Sequence, residues 1–279
     1  MPGRSKKTKR KNKVPRSSKR DKTKSGGSAQ AKPSKGGHDS KQASKGDEKG
    51  SGSKKADNAG SSKSSDSPPK ATKKPTCVVL VRHGLTETTG QVLPGRTAGL
   101  HLSGEGQDQA ARLGMRLSSL QVAAVYASPL ERTKETAAPI AKACGVRTRT
   151  GPGLVECDFG SWTGKSLKDL RKLPEWKTVQ HNPSQFRFPD GESFGEMQQR
   201  IWDQITTLVD HHRGQTIVAV SHADPIKAAV AMACGTPLDL FQRFVISTCS
   251  ASLLWFTADG PVVMAVNSNG DSLAEMKLA

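Results

Sequence analysis

The chain predicts an α/β fold, a three-layer α/β/α sandwich with a mostly parallel sheet, preceded by a disordered basic tail. Three observations predict it. Short apolar runs such as Cys77–Val81 (CVVLV) and Thr216–Val220 (TIVAV) read as strands buried on both faces. Segments with apolar residues at helical spacing alternate with these runs, which implies helices packed on a parallel sheet. The composition, finally, breaks near Pro75. Residues 1–75 hold 23 Lys/Arg against 6 Asp/Glu, whereas residues 76–279 hold 20 against 19. The first 75 residues contain no Leu, Ile, Phe, Trp, Tyr or Cys, and all 12 aromatic residues fall between Tyr126 and Phe256. Two segments follow, a tail at 1–75 and one folded domain at 76–279.

Each element has its own signal. Cys77–Val81, bounded by Pro75 and Gly84, is the first strand. Glu105–Leu120 has apolar residues at Ala110, Ala111, Leu113, Leu117 and Leu120, a helical spacing, with Ser103 as N-cap. Val122–Ala127 is a strand, Glu131–Cys144 a helix ended by Gly145, and Val146–Thr150 a further strand. Pro174, Pro183 and Pro189 forbid one long helix over Arg171–Phe194, whose Trp176, Phe186, Phe188 and Phe194 either cap a site or fill a core. Glu192–His212 is a long amphipathic helix closed by Gly214. Thr216–Val220 is a strand, and Pro225–Cys234 a helix with Asp224 available as its N-cap. Phe244–Thr248, Ser252–Phe256 and Val262–Val266 complete the set as strands, the last of them an antiparallel edge.

The tail cannot bury enough apolar surface to offset its ordering entropy. Its densest stretch, Lys6–Arg20 (KKTKRKNKVPRSSKR), suits non-specific contact with nucleic acid or another polyanion by counterion release, or simply keeps the chain in solution. Without aromatic residues it lacks the stacking platforms of a single-strand binder. No apolar run approaches the ~20 residues of a membrane span, and no apolar core of a signal peptide follows the basic start. Five cysteines without metal-ligand spacing argue against a disulfide scaffold or zinc site and fit a cytoplasmic protein. Cys157 reads as a small buried hydrophobe. His211 and His212, adjacent on a helix, point apart and make a poor metal pair.

Ligands of open α/β sheets bind beyond the carboxyl ends of the strands. After the first strand come Arg82, His83 and Gly84. After Val122–Ala127 come Ser128 and then Arg132. After Thr216–Val220 come Ser221, His222, Ala223 and Asp224. Two arginines and two histidines thus gather at one end of one sheet. Two guanidiniums directed at one spot repel unless an anion lies between them, and the planar fork suits phosphate.

The string VRHGLTETTG at Val81–Gly90 resembles the signature of the histidine phosphatase superfamily, also called phosphoglycerate mutase-like. SPLERT at Ser128–Thr133, LVECDFGSWTG at Leu154–Gly164 and SHA at Ser221–Ala223 resemble its second-arginine, acid and second-histidine motifs, in the family's order. The likeness spans residues 76–279, touches none of the tail, and leans toward actinobacterial members of the phosphatase branch. It implies His83 as nucleophile, Glu156 as general acid and base, and Arg82, Arg132 and His222 as a clamp on the phosphoryl oxygens. Gly84 would let the backbone approach closely, and Arg96 of PGRT would line the phosphate pocket. Thr89 stands where many members carry Asn, a departure that leaves a hydroxyl to contact phosphate. Thr86 and Asp224 are lesser candidates. The implied activity is a metal-independent, cofactor-free phosphomonoester hydrolase acting on a small phosphorylated substrate. The alternatives are a phosphoglycerate mutase-type transfer and a non-catalytic phospholigand-binding protein. Substrate identity and oligomeric state are not legible.

Deleting residues 1–75 is expected to leave turnover largely intact and to remove salt-sensitive binding of nucleic acid. A filter-binding titration of both forms at two salt concentrations, beside a phosphate-release assay, checks this. Equal binding by the truncated form would refute the tail's role.

Overall fold

The computed structural model describes residues 74–270. The basic tail expected over 1–75 therefore lies outside the described residues, its last two positions excepted. Within that range six strands form one sheet: β1 (Thr76–Arg82), β2 (Val122–Ala127), β3 (Thr148–Thr150), β4 (Thr216–Ser221), β5 (Ala251–Thr257) and β6 (Gly260–Ser268). Their order is β3-β2-β4-β1-β5-β6. The first four are mutually parallel where they pair, and β5 and β6 add the antiparallel edge. Register places Arg82 beside Ser221 and Ala127 beside Val220, so the carboxyl ends of β1, β2 and β4 finish level.

Six helices accompany them: α1 (Gly104–Leu117), α2 (Glu131–Ala143), α3 (Leu167–Leu170), α4 (Trp176–His181), α5 (Phe194–His211) and α6 (Ala223–Ala233). The strand pleat divides them into layers. Val79, Val81, Val218 and Val220 pack on Leu113, Leu117 and Ile140 of α1 and α2. Their neighbours Val78, Leu80, Ile217 and Ala219 pack on Ile201, Ile205 and Ile226 of α5 and α6. A continuous apolar run is what a strand covered on both faces requires, and the three-layer sandwich follows.

Several boundaries differ from the sequence expectation, each for a local reason. The helix expected from Glu192 starts at Phe194, because Ser193 and Glu196 form a reciprocal capping box. Glu192 is left free to turn toward Arg96 and Arg200. The helix expected from Pro225 begins at Ala223 with His222 as its N-cap. Pro225 is tolerated in the first turn. Asp224 is consequently inside the helix rather than its cap, paired with Lys227 at 3.1 Å. The strand expected over Val146–Thr150 is only Thr148–Thr150, since the Val146 amide bonds back to Ala141 and closes α2. Phe244–Thr248 is not a strand. The Ile246 carbonyl accepts from Arg82 Nη1 at 2.7 Å, the Ser247 amide donates to the Asn267 side chain, and Cys249 turns at φ 51.

The Arg171–Phe194 stretch is broken as its prolines require. Phe186, Phe188 and Phe194 are core, packed with Phe159, Trp162 and Phe241 in a third apolar cluster. Phe186–Phe188 and Phe188–Phe194 meet edge to face at 5.0 and 5.1 Å. Trp176 is half-buried at the margin, stacked on Trp162. Phe194, 1 % exposed, joins this cluster to α5. Phe194→Ala is expected to cost about 3–5 kcal/mol of stability, read as a lower urea midpoint at unchanged slope.

Candidate active site

The carboxyl ends of β1, β2 and β4 deliver the polar groups that the sandwich cannot bury inside its apolar layers. His83 follows β1 and is 5 % exposed. Its Nδ1 lies 2.8 Å from the Gly84 carbonyl. A carbonyl only accepts, so Nδ1 carries the proton and Nε2 keeps its lone pair. Burial, then the charges of Arg132 and Arg82, lowers the imidazole pKa to about 3. His83 is therefore neutral at any ordinary pH, the state in which an imidazole attacks.

Arg132 lies in the first turn of α2 and is fully buried. Its Nη2 donates to the Gly95 carbonyl at 2.7 Å. His222, also fully buried, stands 5.2 Å from His83 between ring centroids, with Nε2 2.9 Å from Ser128 Oγ. Arg82 Nε, Arg132 Nε and Nη1, and His222 Nδ1 are buried without a hydrogen-bond partner among the described residues. Four unmet polar atoms around one imidazole are costly unless a ligand meets them. Three belong to cations, so that ligand is an anion.

Glu156 completes the group. Its Oε1 accepts from the Cys157 amide at 2.9 Å, and Oε2 stands 4.0 Å from His222 Nδ1. Burial, reinforced by the charge of Asp224, raises its pKa to about 7. Arg82, His83, Glu156 and Asp224 line one cavity of about 200 Å³, together with Thr86 and Thr89. The two threonine hydroxyls lie 2.9 Å apart, and Thr89 Oγ1 also accepts from the Thr86 amide.

Two sequence expectations take a different form. Arg96 is not among the residues that line this cavity, and neither are Arg132 and His222. The Arg96 guanidinium pairs with Glu192 at 2.8 Å and Asp158 at 3.3 Å, while Nε donates to the Glu156 carbonyl at 2.9 Å. The close approach at Gly84 is to helix α1, where an added Cβ would stand 2.6 Å from the Gly106 carbonyl oxygen. Sequence reasoning missed Arg200 and Glu192, which brace the acid-bearing loop. Arg200 reaches the Gly153, Val155 and Glu156 carbonyls and both oxygens of Glu192. Charged residues without a motif gave no signal. Cys157 is buried with its thiol pKa pushed up, and His212 is held by Tyr126 and Gln215, so both are structural. Among the described residues no group of three or more His, Cys, Asp or Glu is placed to hold a metal ion, and no helix is long and apolar enough to cross a membrane.

A three-layer α/β sandwich with unmet cationic donors beside a neutral imidazole at its strand ends defines a site suited to an anion. Residues 78–269 match the histidine phosphatase superfamily (branch 1), and the chain belongs to that family. It is 30% identical over 195 residues to phosphoserine phosphatase 1 of Hydrogenobacter thermophilus, covering 68% of this chain and 91% of that protein. It is 32% identical over 200 residues to a bifunctional protein of Mycobacterium tuberculosis, covering 70% of this chain and 55% of the relative. The match thus spans about half the length of that mycobacterial protein, which accords with the actinobacterial likeness of the motifs. Among solved structures, Bacillus stearothermophilus YhfR superposes with a TM-score of 0.64 at 28% identity, covering 68% of this chain and 96% of that one.

Inorganic phosphate or vanadate is expected to raise the melting temperature, since a ligand that binds only the folded state at 100 Kd stabilises it by about 2.7 kcal/mol. Arg132→Met should abolish the response in a thermal-shift titration.

Proposed function

We propose that the protein is a phosphomonoester hydrolase that works through a phosphohistidine on His83. The observation that carries this reading is the set of unmet buried donors around a neutral imidazole. A phosphoryl dianion among Arg82, Arg132 and His222 supplies the charge the site lacks. His83 Nε2 attacks phosphorus, the bond from phosphorus to the ester oxygen breaks, and Glu156 gives its proton to the departing alkoxide. The Glu156 carboxylate then takes a proton from water, whose oxygen attacks phosphorus. The P–N bond breaks, releasing inorganic phosphate and the free imidazole. With the Ser128 hydroxyl donating to Nε2, His222 Nδ1–H faces the phosphoryl oxygens. Thr89 adds a hydroxyl at the cavity wall. Arg96 and Arg200 act at one remove, fixing the loop on which Glu156 rides. The basic residues 1–75 suit contact with nucleic acid or another polyanion.

Phosphate release in excess chelator, from wild type and His83→Ala, tests the assignment. Wild type should release phosphate and, quenched in turnover, carry acid-labile, base-stable phosphate; the variant should do neither. Release by His83→Ala at the wild-type rate would refute it.

Attack needs His83 unprotonated, which holds above pH about 3, and Glu156 protonated, which holds below about 7. We therefore expect kcat/KM to fall by about tenfold per pH unit above neutrality. The negative charge of Asp224 favours the protonated acid, so Asp224→Asn should move this fall to lower pH. The substrate's own titration is common to both proteins and cancels in the comparison.

A further inference from the structure

Beside the cavity at His83 lies a second one, of about 300 Å³. Leu93, Phe159, Leu167 and Asp224 line both. The ester oxygen must lie within reach of Glu156, which lines the first cavity. An alcohol extending from there along these four shared side chains enters the second chamber.

That chamber is not a packing defect. Voids left in cores are lined by apolar groups alone. Here Trp176, Phe188 and Phe194 form apolar wall, while Gln180, Lys227 and Gln242 bring polar groups into the same space. Apolar walls with a few placed polar groups are the composition of small-molecule sites, whose volumes run from roughly 300 to 1,000 Å³. Lys227 is held in place by Asp224 Oδ1 at 3.1 Å and Gln242 Oε1 at 2.9 Å. Its ammonium has three donors, so one remains for a ligand. The Lys227–Asp224 pair also leaves the chamber without a strong charge of its own beyond Arg171 at its rim. A second dianion would meet no buried pair of guanidiniums here like that at His83.

We propose, resting on the phosphatase reading above, that the second chamber takes the leaving group and that the substrate is the phosphomonoester of a bulky, ring-bearing alcohol with hydrogen-bond acceptors at its far end. A small amino acid or sugar acid would leave most of the chamber empty. A nucleoside-sized alcohol fills it, with its ring against Phe159 and Trp176 and its acceptors toward Lys227 and Gln180.

Binding and turnover are measured separately, so that the substrate proposal and the phosphatase reading can fail independently. Binding to the His83→Ala protein is titrated by calorimetry with three ring-bearing esters (adenosine 5′-phosphate, uridine 5′-phosphate and cytidine 5′-phosphate) and three small ones (phosphoserine, glycerol 3-phosphate and 3-phosphoglycerate). The tightest ring-bearing ester should bind at least tenfold more tightly than the tightest small one. Adding Gln180→Trp, at a half-buried position on α4, should bring that ratio close to one, with binding of the small esters reporting that the protein is folded. A small ester binding as tightly as any ring-bearing one, or a ratio untouched by Gln180→Trp, would overturn the proposal. Hydrolysis of the same esters by wild type judges the phosphatase reading independently.

Discussion

Two buried guanidiniums facing one imidazole, with too little negative charge nearby, are the constraint on which the rest of the structure depends. Arg132 is fully buried and Arg82 largely so. The acid closest to them, Glu156, is itself held toward its neutral form by burial. Charges taken out of water without partners are expensive. The fold retains them by anchoring each at a backbone carbonyl, Gly95 for Arg132 and Ile246 for Arg82. Burial, and then the charges of these same two cations, keep His83 unprotonated. Under the proposed mechanism, the two cations that would bind the phosphoryl group thus also favour the neutral imidazole. A substitution that removed either guanidinium would weaken both.

The acid needs different support, because it sits on a loop rather than at a strand end. Glu192 is the centre of that support. Burial alone would raise its carboxyl, but hydrogen bonds from Arg200 and the Asp158 amide, with the charges of Arg200 and Arg96, hold it below the usual carboxylate range. The ionised Glu192 binds both arginines, and each arginine also holds the Glu156 carbonyl. Chain reversal beside this hub is tight: Gly160 has φ 49, and a Cβ there would stand 2.0 Å from the Pro189 carbonyl oxygen. The backbone of Glu156 is therefore fixed from two sides while its side chain stays free to exchange a proton.

How much of this was legible in the sequence follows from where the determinants lie. Buried strands announce themselves as apolar runs, and the residues after them are fixed by topology, so Arg82, His83, Arg132 and His222 could be placed at one sheet end. Glu156 came only with the family likeness. Elements whose backbone serves the site were misread. Phe244–Thr248 has strand composition, yet its carbonyl at Ile246 is taken by Arg82 rather than by a ladder. Arg96 in PGRT falls where the family often has a Gly-Arg pair, which points it at the phosphate, but its partners Asp158 and Glu192 lie 62 and 96 positions further on. Long-range pairing of surface-type charges leaves no periodicity to read.

The two cavities complete a division of labour that the layers impose. Arg82, His83 and His222 stand at the ends of strands buried on both faces, where packing density permits little drift. The second chamber is walled partly by α3, α4 and the loops around them, short pieces interrupted by Pro174, Pro183 and Pro189, and partly by Phe194 of α5 and Asp224 and Lys227 of α6. Their anchor is the aromatic cluster of Phe159, Phe188 and Phe194, which fixes the chamber floor and leaves Trp176 and Gln180 at its margin. A change at that margin alters the shape of the chamber without passing through the sheet. Such a change can retune the substrate while the phosphoryl end stays as it is, because Asp224 is the one ionisable side chain that touches both spaces.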